Sequence, residues 1–135
     1  MANPHQISSS FVVMGPEFSA DTLPVSDDFY ARLEKDYGDF AGHALISCHA
    51  FEADWPTWES HPKGDEFVVL LAGAVEMVLA QAGGDNSVHL NEPGEFVIVP
   101  RGVWHTAKVG NFARMLFVTA GEGTENLEQP PGRSN

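Results

Sequence analysis

Hydrophobic and polar residues change their period several times along this chain, and each change marks off a short element. Residues 43–52 alternate: Leu45, Ser47, His49 and Phe51 share one face, and Ala44, Ile46, Cys48 and Ala50 share the other. That two-residue period is the mark of a strand. The segment alone does not settle which face looks inward. Residues 67–71 form an unbroken apolar run, read as a strand covered on both sides, and residues 96–99 read as a second buried strand. Further strands are predicted over 11–14, 74–81, 87–90, 106–109 and 113–120. Between them stand turn signals: Gly15-Pro16, Gly83-Gly84-Asp85-Asn86, Glu92-Pro93-Gly94 and Gly110-Asn111. Helical spacing is found over residues 26–37, where Phe29, Leu33 and Tyr37 recur with Tyr30 beside them. Ser26 is the predicted N-cap, Asp27 and Asp28 suit the positive end of the dipole, and Gly38 suits the exit. The stripe is read as a packing face. Many short strands with one helix near the start predict an all-β antiparallel sandwich or barrel. The expected organisation is a polar arm over 1–10, one β domain over 11–120 and a polar tail over 121–135.

Composition narrows the class. A chain of 135 residues, 43% hydrophobic and 19% charged, suits one globular domain with a real core. No apolar run approaches the roughly 20 residues of a membrane helix. The first ten residues lack the basic and apolar regions of a signal peptide. Cys48 is the single cysteine, so no intrachain disulfide forms and a cytoplasmic location is expected. With 19 acidic against 7 basic residues, a formal charge of -12 argues against nucleic acid or an anionic membrane as partner. It says less about a small ligand, because the field inside a pocket need not follow the net charge.

Candidate chemistry concentrates in two stretches. In the first, Trp58 to Gly73, Glu59 and His61 stand two apart and so share a strand face. Pro62-Lys63-Gly64-Asp65 then breaks the strand, and Pro with Gly there reads as a tight turn that resets the facing, so that Glu66 can converge with His61 across a hairpin-like corner. An imidazole and carboxylates aimed at one point suit a first-row transition metal. In the second stretch, Gly94 to His105, a strand ends in Pro100-Arg101-Gly102 and His105 opens the next strand, placed to be a ligand from across the site.

Together the two stretches resemble the paired motifs of the cupin superfamily. The first of these runs Gly, five residues, His-x-His, three or four residues, Glu, six residues, Gly; the second runs Gly, five residues, Pro-x-Gly, two residues, His, three residues, Asn. This chain matches at His61, Glu66, Gly73, Gly94, Pro100, Gly102 and His105. It departs at Glu59, which stands for the first His, at Ala53 for the leading Gly and at Val109 for the final Asn. The resemblance implies a double-stranded antiparallel β-barrel, a jelly roll, with the site inside it. By parity with Glu66, Val68 and Leu70 should face inward; by parity with His105, so should Ala107 and Val109. Trp58 and Trp104, each next to a motif residue, should face the other side.

The implied function is a small metal-binding cupin acting on a small organic molecule. One divalent transition metal (Fe, Mn, Zn or Ni) would be held by His61, Glu66 and His105. Glu59 has three readings: a fourth ligand, a general acid or base, or a solvent-facing residue. His49 is a second candidate for the pocket, as a group that hydrogen-bonds substrate. Oxygenase, isomerase and decarboxylase or lyase chemistry all suit such a set. The alternative is a barrel that binds or senses a small molecule without turnover, with or without metal. A homodimer is expected, with residues 11–14 adding to a partner's sheet edge.

Overall fold

Among the described residues the chain forms eleven strands and one helix. A computed structural model describes residues 3–132. In chain order the elements are β1 (Ser10–Met14), β2 (Ala20–Pro24), α1 (Phe29–Tyr37), β3 (Ala44–Phe51), β4 (Trp58–Ser60), β5 (Glu66–Gly73), β6 (Val75–Gln81), β7 (Gly84–Leu90), β8 (Phe96–Val99), β9 (Trp104–Lys108), β10 (Ala113–Thr119) and β11 (Glu125–Leu127). All the strand pairings are antiparallel, in a six-stranded sheet ordered β2-β1-β3-β10-β5-β8 and a five-stranded sheet ordered β11-β4-β9-β6-β7. The architecture is the expected all-β jelly roll, with one correction: the two sheets face each other as a sandwich and do not close into a barrel. Among the described residues no helix is long and apolar enough to cross a membrane.

Inward-facing residues of both sheets make the core. Val68, Leu70, Met77, Ala107, Ala113 and Met115 are all fully buried there, and Val109 joins them. The four positions assigned inward by parity therefore do point inward. A second cluster packs Phe29 and Leu33 of α1 against Phe11, Val13 and Leu45. Gly73 makes the crossing from β5 to β6 possible. Its φ is +81°, and a Cβ there would lie 2.1 Å from the Phe112 carbonyl oxygen. Only glycine fits.

Several local expectations are corrected. The helix starts at Phe29, three residues later than predicted, because the Ser26 hydroxyl donates to Asp28 Oδ1 at 2.6 Å and accepts from Arg32, and does not cap the backbone. Residues 96–99 form an edge strand whose outward residues, Phe96 at 56% and Ile98 at 44% exposure, lie in the open. β1 is no edge: β2 covers it. The segment read as a polar tail contributes β11, which pairs with β4 through Glu125↔Ser60 and Leu127↔Trp58. Arm residue Ile7 packs on the helix-side cluster, and Ser9 accepts a hydrogen bond from Val25 N–H.

Candidate metal centre

Each candidate ligand owes its position to a strand pairing. Glu59 sits directly opposite His105 where β4 pairs with β9, which places the two side chains as cross-strand neighbours. His61 follows β4 by one residue and keeps the facing of Glu59. The corner 62–65 then leaves the five-stranded sheet and enters the six-stranded one at Glu66, so it is a crossing between sheets where a hairpin was expected. The two motif corners are tied together: Gly102 N–H donates to His61 O at 2.9 Å, and Arg101 N–H donates to Asp65 Oδ1 at 2.8 Å.

Four polar side chains meet as a result. His105 Nε2 lies 3.0 Å from Glu66 Oε1, His61 Nε2 lies 3.3 Å from Glu66 Oε2, and His61 Nε2 lies 3.6 Å from Glu59 Oε1. One ligand atom from each of Glu59, His61 and His105 falls within 4.8 Å of the others. Separations of this size match the edges of a coordination shell with bonds of about 2.0–2.2 Å. His61, Glu66 and His105 are buried, while Glu59 keeps a third of its side chain exposed.

The outer nitrogens fix the ring protons. His105 Nδ1 faces the Val103 carbonyl oxygen at 3.0 Å, an acceptor, so Nδ1 must carry the hydrogen. His61 Nδ1 faces Thr124 Oγ1 at 2.9 Å, and the Thr124 hydroxyl spends its own proton on Gly121 O. It therefore accepts from His61 Nδ1–H. In the neutral rings both Nε2 lone pairs point at the centre. Apart from the facing groups of the centre itself, neither Nε2 nor Glu66 Oε1 has a hydrogen-bond partner, although all three are buried. Buried ligand atoms that face only one another at such distances are arranged around a common point. The residues fit a divalent ion.

Without an ion, protons take its place. Burial pulls the His61 pKa down, but hydrogen bonding and charge from Glu59 and Glu66 outweigh it and raise the value to about 9. Burial likewise raises Glu66, and the two imidazoles, His105 first, overcome it and lower the value to about 2. Glu66 Oε2 also accepts from the Thr119 hydroxyl at 2.6 Å.

The centre lies at the end of a cavity of about 630 Å³. His49 enters it from the inward face of β3, which settles the facing of that strand, and does not join the ligand group. Its Nε2 is 3.2 Å from Tyr30 Oη. Burial lowers the His49 pKa against the opposing charge of Glu59, so the ring is neutral near pH 7. Burial, with Glu59 adding to it, raises the Tyr30 phenol. Trp58 and Trp104 do not line the cavity, whereas Trp55 does, stacked at an angle against Phe117 and Phe51. Sequence reasoning missed Tyr30, Thr119 and Thr124. The spacing of Tyr30, next to the stripe and not in it, was the one signal available.

No family model matches the sequence, and no curated protein matches it. Solved structures do. The chain is similar to an oxalate oxidase in complex with the substrate analogue glycolate, with a TM-score of 0.52 and 21% identity, covering 61% of this chain and 45% of that one. It is similar to hydroxypropylphosphonic acid epoxidase from S. wedmorenis, with a TM-score of 0.50 and 20% identity, covering 58% and 44%. A cupin-2 domain protein from Shewanella frigidimarina matches with a TM-score of 0.48 and 17% identity, covering 56% and 68%. The likeness to the two enzymes is one of fold. The chain spans less than half the length of either enzyme named here.

Proposed function

We propose that this chain is a metal-dependent cupin that acts on a small organic molecule, with His61, Glu66 and His105 holding one divalent Fe, Mn, Zn or Ni ion and Glu59 as the fourth ligand. The observation that carries the reading is the convergence of His61 Nε2, His105 Nε2 and the carboxylates of Glu66 and Glu59 at 3.0–3.6 Å, with each ring's Nδ1 held by an outer acceptor. Two imidazoles and two carboxylates form a hard anionic set that suits these ions over Cu(I). Bound there, such an ion supplies Lewis-acid or oxygen chemistry, as its identity dictates.

The chain's own groups then do the rest. Thr124 and the Val103 carbonyl hold the imidazoles in one tautomer, as outer partners of metal ligands do. Thr119 holds Glu66. His49, paired with Tyr30, is the group placed to take or give a proton next to a bound molecule. Aromatic rings from Phe51, Trp55 and Phe117 line that space and pack on one another.

Elemental analysis of untagged protein purified without chelator, beside a His61→Ala/His105→Ala double variant, tests the assignment. Near-stoichiometric metal in the wild type and none in the variant is expected. No metal in either, with no stabilisation when metals are added back, leaves only a metal-free binding module.

A homodimer belongs to the same proposal. Outward positions of β10, β5 and β8 hold Leu116, Val118, Phe67, Val69, Phe96 and Ile98, and these strands carry no outward carboxylate. On a chain of charge -12, such a face is where a second copy can meet the first without bringing like charges together. Light scattering at micromolar concentration should give twice the chain mass, and a monomer would rule the pairing out. Cys48, buried and unpaired, supports a reducing, cytoplasmic setting.

A further inference from the structure

Carboxylates dominate the charge on the cavity walls, with the His61 imidazole the opposing group in the metal-free protein. Glu34, Asp39, Asp54, Glu59 and Glu66 line it, and among the described residues no Lys or Arg does. The cations are spent elsewhere: Arg32 binds the Pro24 carbonyl, Ser26 and Asp28, and Arg114 points outward from β10. Three of the carboxylates are also built into the frame as acceptors. Asp54 takes the Val109 N–H at 2.7 Å, Asp39 the Ala41 N–H and Glu66 the Thr119 hydroxyl. A divalent ion at the centre does not reverse this sign, because Glu59 and Glu66 already balance its two charges.

The same cavity is lined by flat rings. Tyr30, Phe51, Trp55 and Phe117 surround it, with His49 among them 5.9 Å from Phe117 and 6.1 Å from Phe51 by ring centroid. Aromatic side chains that line a cavity can pack against another ring, and negative charge around aromatic faces also favours a cation.

Resting on the assignment of this cavity as the ligand site, we propose that it takes a small aromatic molecule bearing no negative charge, uncharged or protonated, and rejects carboxylates and phosphates. Three probes differing in one group test it: benzamide, benzylamine and benzoate, titrated against tryptophan emission and melting temperature, with both metal-loaded and chelator-treated protein. Benzamide and benzylamine should bind at least about tenfold more tightly than benzoate in both forms, a step that a single like-charge contact supplies. Glu34→Gln/Glu59→Gln should narrow that gap, and cyclohexanecarboxamide should bind about three- to tenfold more weakly than benzamide. Benzoate binding as tightly as benzamide in either form overturns the proposal. So does a saturated ring that binds equally well, or the absence of binding by all three at millimolar concentration. Metal content is read separately, so an empty metal centre with the expected probe order would sink the metal assignment and leave the ligand class standing.

Discussion

Adding Zn2+ to chelator-treated protein should release close to one proton at neutral pH, and the affinity should climb steeply with pH. The reason is the exchange at His61. Its Nε2 must be unprotonated to bind an ion, yet Glu59 and Glu66 lie 3.6 and 3.3 Å away and raise its pKa to about 9 against the effect of burial. At pH 7.5 roughly 97% of the free protein then holds that proton. The fraction open to metal rises about 90-fold between pH 6 and pH 8, equivalent to roughly 3 kcal/mol of apparent binding free energy. Calorimetry in two buffers of different ionisation enthalpy reads the proton count directly, and a series of pH values reads the slope, which should be close to tenfold per unit. A proton count near zero with a flat affinity over this range would show that His61 is not charged in the free protein or does not bind the ion. Either result refutes the reasoning.

Chelator-treated protein should itself be most stable between about pH 4.5 and 6.5. His61 has a folded pKa above its unfolded one, so its contribution is complete below 6.5 and is lost as pH rises through about 9. Glu66 is lowered, so its contribution is complete above 4.5 and is lost as pH falls towards about 2. Counted once for the coupled pair, the loss by pH 10 is roughly 3 kcal/mol, on the order of 10 °C in melting temperature; scanning fluorimetry with chelator present checks it. Thr124→Val keeps the shape but removes the acceptor of His61 Nδ1–H, and metal affinity should fall about 10- to 100-fold, with Thr124→Ser restoring most of it. Equal affinity in all three proteins would deny Thr124 its role. Gly73→Ala should cost more than about 2 kcal/mol in urea unfolding, since the new Cβ meets backbone that cannot yield and φ stays positive.

Three of the four residues of the candidate centre stand within eight positions of one another, and the resemblance to the paired motifs tied His105 to them. The spacing of Glu59, His61 and Glu66, with the Pro100-x-Gly102 turn before His105, needs only local rules to suggest a shared point. Parity along β5 and β9 then gave the inward residues Val68, Leu70, Ala107 and Val109. Partners brought in from afar were not legible. Thr124 reaches His61 across 63 residues and Thr119 reaches Glu66 across 53, and no period links such pairs. β2 and β11 were missed because they are exposed edge strands with no buried face to set an alternation; their neighbours' ladders hold them. The error over residues 96–99 has the opposite origin. An apolar run shows what a strand is made of, while its place at the sheet edge decides what is covered.

The candidate ligands come from both halves of the sandwich: Glu59, His61 and His105 stand on or beside the five-stranded sheet, and Glu66 opens β5 of the six-stranded one. An ion shared among them would act as a rivet through two plates that share no hydrogen-bonded strand at that end. Prising the sheets apart would then require breaking coordination bonds, so amide hydrogens of β4, β9 and β5 should slow their exchange together on loading and quicken together on chelation. Occupancy would set how firmly the mouth of the sandwich is clenched.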